Sequence, residues 1–139
     1  MASPTNSQFE EAMARYQAGA EASDVINDFL AITAAKPQQA AGWTCLSWLQ
    51  LLCNQPEEAL RSARTAVKIN GQDPQARINL SLALLENGAK GVRDQISMVQ
   101  KFLTLAPGLA EELKEAIDDG LKRKPDWPAL NKVKAWLEL

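Results

Sequence analysis

One offset organises this chain. Phe9, Trp43 and Arg77 are spaced 34 residues apart, and so are Ala12, Leu46 and Leu80. The same offset carries Lys36-Pro37 onto Asn70-Gly71, two turn-forming dipeptides that close a helix. Between these stops the apolar residues recur at i, i+3, i+4 and i+7, as in Phe9, Ala12, Met13 and Tyr16. A helix–turn–helix unit repeated at this interval cannot bury its apolar face alone. It must stack on its neighbours, and the result is a solenoid of helical hairpins.

The repeat predicts four hairpins. The first covers about 6–39, with helices over Ser7–Ala18 and from a cap at Ser23 or Asp24 to Lys36-Pro37. The second, 40–73, carries Trp43, Leu46, Leu49 and Leu51 on its first helix. Pro56 opens its second helix, where a missing N–H costs nothing, and Asn70-Gly71 supplies a left-handed stop. The third, 74–109, begins with Asp73 as cap and Pro74 in the first turn, and closes at Ala106-Pro107-Gly108. The fourth, 110–139, is short, with Asp126 as cap and Pro128 in the first turn of its last helix. Its outer faces are dense in charge, from Glu111, Glu112 and Glu115 to Lys122, Arg123 and Lys124. An end repeat needs this, because nothing stacks on it. The expectation is one all-α domain over 1–139, of about eight helices.

Composition removes several function classes. A net charge of −2 and a pI of about 5.2 argue against a nucleic-acid reader, which is normally basic. The run Lys122-Arg123-Lys124 reads as a cation-rich helix C-terminus, favoured by the macrodipole. There is no histidine, so the commonest general base near neutral pH is missing, and two cysteines alone cannot make a Cys/His metal site. No phosphate-binding glycine motif occurs. The acidic pairs Glu10-Glu11, Glu57-Glu58, Glu111-Glu112 and Asp118-Asp119 read as solvated helix surface. Neither a cofactor nor catalysis is expected. The first residues lack the basic and apolar blocks of a secretory signal, and no segment reaches the length of a membrane span. Cys45 and Cys53 lie about 12 Å apart along one helix, too far to bridge. Two reduced thiols suggest a cytoplasmic protein.

The second hairpin, with Trp43, Leu46-Ser47, Ala59 and Ala66, resembles the tetratricopeptide repeat family. The first resembles it through Phe9, Ala12, Tyr16, Phe29 and Pro37, with Val25 and Ile32 in the two usual alanine slots. The third keeps Leu80-Ser81, Leu84 and Pro107 but holds Arg77, Gln95 and Phe102 where Trp, Ala and Ala are usual. The fourth is degenerate. The resemblance implies a right-handed α-solenoid whose first helices line a concave peptide-binding groove. It places Glu10, Glu11, Ala14 and Gln17 in that groove from the first repeat. Thr44, Cys45, Trp48 and Leu52 come from the second, and Gln75, Ile78, Asn79, Leu82 and Glu86 from the third.

Trp48 lies five residues after Trp43, roughly 140° around the helix. It either turns into the groove as an anchor for a partner or packs against the next first helix or the C-terminal helix. The carboxylate clamp that family members use for acidic Hsp70 and Hsp90 tails is absent, because Glu10, Ala14, Cys45, Gln75 and Asn79 stand at its positions. An apolar or amphipathic peptide is the expected ligand, with Thr44, Trp48, Asn79 and Leu82 as contacts. The leading function is a protein-interaction adaptor, scaffold or assembly factor. A dedicated bacterial chaperone for one client, such as a secretion substrate or a photosynthetic-complex subunit, is the second. Homodimerisation through an end hairpin, near Trp127 and Trp136, is the third.

Overall fold

The structure is a computed structural model that describes residues 4–139, with side chains from Ser7 onward. The reading of the first residues as lacking a secretory signal falls partly on residues 1–3, outside the described residues. Eight α-helices and no strand occur among the described residues: α1 (Pro4–Gln17), α2 (Ala22–Ala35), α3 (Ala40–Leu52), α4 (Pro56–Ile69), α5 (Pro74–Glu86), α6 (Val92–Leu105), α7 (Leu109–Arg123) and α8 (Pro128–Trp136). The architecture is a TPR-like α-solenoid, all-helical as the repeat implies.

The helix boundaries follow local chemistry, with three departures from expectation. Pro56, Pro74 and Pro128 each stand in the first turn of a helix, and Asp73 accepts a hydrogen bond from the Gln75 N–H at 2.9 Å. The helix α2, however, starts two or three residues earlier than Ser23 or Asp24 would place it, from Glu21 with no side-chain cap. Trp127, not Asp126, is the N-cap of α8. The α4 stop is not left-handed: Asn70 is extended. There the Arg77 Nε donates to the Gly71 carbonyl at 3.0 Å and fixes the turn from the next helix. The left-handed residue that closes α3 is Asn54, at φ 58°, a conformation asparagine tolerates better than most residues.

The hairpins α1/α2, α3/α4 and α5/α6 stack in order. Small residues set their spacing. Ala59, Ala63 and Ala66 of α4 are fully buried, as are Ser47 of α3 and Ser81 of α5. Polar side chains tie one hairpin to the next. Asn79 of α5, at 0% exposure, donates from Nδ2 to the Thr44 carbonyl at 2.9 Å and the Ser47 Oγ at 3.1 Å, and its Oδ1 accepts from Gln75 Nε2 at 2.8 Å. Buried amides of this kind are retained because every donor and acceptor is met.

The last two helices do not simply extend the stack. Helix α8 lies beside α5, where Leu130, Val133 and Leu137 join a core with Ile78, Leu82, Ile96 and Val99. Helix α7 turns back across the face made by the first helix of each hairpin, α1, α3 and α5. Its Leu113 and Ile117 enter the same core. Asp118 ties the pair together, accepting from Lys134 of α8 at 2.9 Å and Lys114 at 3.3 Å. Those two ammonium groups hold its carboxyl below the usual carboxylate range.

Asn79→Ala removes three satisfied hydrogen bonds from a fully buried site between α3 and α5. The expected cost is about 1–3 kcal/mol, read as a lower urea midpoint with an unchanged slope.

A candidate binding face covered by the chain's own helix

The face built from α1, α3 and α5 is where the expected ligand-contact residues fall. Helix α1 contributes Met13 and Tyr16, α3 contributes Thr44, Cys45, Trp48 and Leu49, and α5 contributes Gln75 and Asn79. Together with Phe29 of α2 they line a recess of about 170 Å³, roofed by Ala116 and Asp119 of α7. Five of the eight expected contact residues, Thr44, Cys45, Trp48, Gln75 and Asn79, therefore line one recess. Leu52 lies elsewhere, in a polar hollow with Gln17, Lys122 and Arg123. Ile78 and Leu82, expected in an open groove, are fully buried in the core with Leu113 and Ile117 of α7. Of the first-repeat residues, Glu10, Glu11, Ala14 and Gln17 are exposed.

Although polar residues line it, the recess presents an apolar wall. The Thr44 Oγ1 is turned back to the Ala40 carbonyl at 3.2 Å, and Asn79 is engaged with α3 as described. Tyr16 and Asp119 satisfy each other. The Cys45 thiol points at the Met13 Sδ, 3.7 Å away. Burial pushes this thiol up to about 12, with the nearby Asp73 charge adding to the shift. It is a neutral, soft wall atom, as free buried cysteines usually are.

Trp48 takes the second of its two expected positions. It is 9% exposed and lies against Trp127, with ring centroids 5.5 Å apart and planes at 42°. An aromatic pair of this kind is worth about 0.5–1.5 kcal/mol beyond its buried area. The indole N–H donates to the Tyr16 hydroxyl at 2.8 Å. Over the indole edge passes α7, at Gly120. A Cβ there would lie 2.6 and 2.8 Å from Trp48 ring carbons and 2.9 Å from Leu130 Cδ2. Only glycine lets the α7 backbone approach this closely.

A polar junction pins the far end of α7 to α1, 103 residues away in sequence. The Tyr16 hydroxyl donates to the Asp119 carboxylate. Burial first, and this hydrogen bond second, raise the Tyr16 phenol well above its ordinary value, so it stays protonated as a donor. Arg123, one helical turn on, donates to Asp119 at 3.1 Å, to the Tyr16 carbonyl at 2.7 Å and to the Ala20 carbonyl at 2.8 Å. Its guanidinium also sits over the Tyr16 ring, 3.8 Å from the centroid. Arg123 thus bonds the Tyr16 carbonyl in the last turn of α1 and the Ala20 carbonyl just beyond it, with a planar fork that lysine lacks. Next to it, Lys124 donates to Asn54 at the end of α3 at 2.6 Å.

This junction corrects the reading of Asp119 as solvated surface. Lys122 and Arg123 do lie in the last turn of α7 as the sequence suggested, but Arg123 and Lys124 also take partners on α1 and at the end of α3. The available signal was the i, i+4 spacing of Asp119 and Arg123 beside a Gly in mid-helix; nothing in the sequence said that their partner was Tyr16. Among the described residues no cluster of His, Cys, Asp and Glu could hold a metal, and no helix is long and apolar enough to cross a membrane.

No family model and no curated protein matches the chain. Solved structures do match over nearly its whole length. The type III secretion translocator chaperone SycD of Yersinia enterocolitica superposes with a TM-score of 0.70 at 16% identity, over 96% of this chain and 86% of that one. SycD in complex with a peptide of the translocator YopD gives a TM-score of 0.58 at 19% identity, over 99% and 92%. The first TPR of Spaghetti (RPAP3), bound to the HSP90 peptide SRMEEVD, gives 0.56 at 12% identity, over 96% and 90%. The fold is TPR-like. At these identities the likeness establishes architecture, and the site must be argued from its own residues.

Two outcomes test this geometry. Gly120→Ala gains about 1 kcal/mol of helix propensity. The clash with an indole held by Tyr16 and Trp127 costs about 1–3 kcal/mol, so thermal unfolding should show a net loss of stability. The Cys45 thiol should resist alkylation at pH 8 while Cys53 is modified, as peptide mass spectrometry would show. Its thiol ionises near 9 when unfolded and near 12 when folded. The unfolded chain therefore loses the proton first, and the thiol's contribution to stability, complete below pH 9, declines toward pH 12. Cys45→Ala should flatten that decline in urea titrations.

Proposed function

We propose that the chain is a protein-interaction module of adaptor or chaperone type, acting through binding and not catalysis. Its ligand is an apolar or amphipathic segment of a partner protein, received on the face of α1, α3 and α5. The observation that carries this reading is the 170 Å³ recess, where Thr44, Asn79 and Tyr16 each direct side-chain polar atoms to partners within the protein. A wall of that kind discriminates against charged groups, which would lose their hydration without replacement. It accepts an apolar side chain, for which cavities of this size are adequate hosts. That chemistry favours an apolar anchoring group over an acidic tail, in keeping with the missing carboxylate clamp. We further propose that 1–139 works as one domain, with hairpins at about 6–39, 40–73 and 74–109 and a degenerate capping pair over 110–139, in the cytoplasm of a bacterium.

The chaperone alternative draws support from the solved neighbours. One of them is a secretion chaperone seen with a peptide of its translocator client, and it matches along almost the entire chain.

Filling the recess tests the reading. A photoreactive residue at Gln75, on the recess rim, should crosslink in cells to one defined segment of one partner. Ala116→Leu should abolish that crosslink while leaving the far-UV helical signal and thermal midpoint unchanged or raised. Crosslinks spread over many proteins, or untouched by Ala116→Leu, count against it.

A further inference from the structure

Helix α7 occupies the face just proposed for a partner, and it does so in the manner of a ligand. It is amphipathic, with Leu113 and Ile117 turned to the core and Glu111, Glu112, Lys114 and Glu115 turned to solvent. It reaches α1 through Asp119 and α3 through Gly120, and its Leu113 and Ile117 share a core with Ile78 and Leu82 of α5. It leaves the recess unfilled under Ala116. Its grip on α1 is polar and concentrated at Asp119 and Arg123. Proline-containing turns flank it, Ala106-Pro107-Gly108 before and Lys124-Pro125-Asp126 after, while Trp127 beyond the second turn is fixed in the core and hydrogen-bonded to Glu86 at 2.9 Å.

We infer that α7 is a built-in stand-in for the partner, and that the partner segment is a helix of the same pattern. This rests on the proposed binding reading and specifies it. The pattern can be read from α7 itself. Apolar residues sit at 113 and 117, a small residue at 120 lies on the Trp48 indole, and a carboxylate at 119 reaches the Tyr16 hydroxyl. An arginine at 123 holds the Tyr16 and Ala20 carbonyls at the C-terminal end of α1. A partner helix engages by displacing α7, which swings about its flanking turns while α1–α6 and α8 stay in place. The apparent affinity of the face is then its intrinsic affinity reduced by the fraction of molecules in which α7 has lifted. Weakening the Asp119–Arg123 grip raises that fraction.

The test uses the full chain and a fluorescent synthetic peptide of residues 109–124 as the probe. The wild type should bind the peptide weakly, because its own α7 competes at high effective concentration. Arg123→Ala and Asp119→Ala should each bind it about tenfold or more tighter, since each removes charge-assisted hydrogen bonds from the competitor. Hydrogen exchange should show the amides of 109–123 opening faster in both variants, with α3–α5 unchanged. Three results overturn the inference: equal peptide affinity in wild type and variants; α7 amides that open only together with α3–α5, which would make α7 ordinary core; and a wild-type dimer in sedimentation that protects α7 only when paired, which would assign the face to a second copy. Each of these can occur with the Gln75 crosslink intact, so the inference can fail alone. Loss of that crosslink's specificity would instead remove the binding reading beneath it.

Discussion

The approach of the Gly120 backbone to the Trp48 indole determines where the C-terminal third of the molecule lies. With any side chain at 120, α7 would have to stand off from α3, or the Trp48 and Leu130 side chains would have to give way, by several tenths of an ångström. The Asp119–Tyr16 and Arg123–Tyr16 hydrogen bonds would then be stretched and weakened. The indole can serve as this floor because it is itself held on two sides, by the Tyr16 hydroxyl and the Trp127 ring. A residue with no side chain and the largest side chain in the chain therefore fit as a pair. The helix above them settles at a depth that closes the face while leaving a recess beside it.

The fold was legible because its signals are local and repeated. Helix periodicity, prolines in first turns and the 34-residue offset all point one way, and the consistency of independent signals is what makes a sequence specify one architecture. Boundaries depending on a single residue were less legible. Asn70-Gly71 has the composition of a left-handed stop, yet Arg77 from the following helix supplies the hydrogen bond that settles the turn. A contact from another element overrode the local preference.

The site divides along the same line. Thr44, Cys45, Trp48, Gln75 and Asn79 could be placed together because the tetratricopeptide resemblance assigns them to one face. The roof over them could not, because it is made by pairings between α7 and the first two hairpins that no periodicity encodes. Asp119 and Arg123 look like surface charge until Tyr16 is beneath them. Ile78 and Leu82 look like ligand contacts until Leu113 and Ile117 are on top of them. Charge on a helix reports only that some of its surface is wet, and a helix lying over a binding face is wet on one side as well.

The sequence distance spanned by the α7 junction gives the molecule an order in time. Hairpins α1 to α6 close contacts between near neighbours, which form quickly and can do so as the chain emerges during synthesis. The bonds from Arg123 to Tyr16 and Ala20 join residues 107 and 103 positions apart and must wait for nearly the whole chain. Until then the Tyr16 and Ala20 carbonyls lack Arg123, and the Trp48 indole lacks Gly120 above it. The face of α1, α3 and α5 is thus the last part of the molecule to acquire its cover.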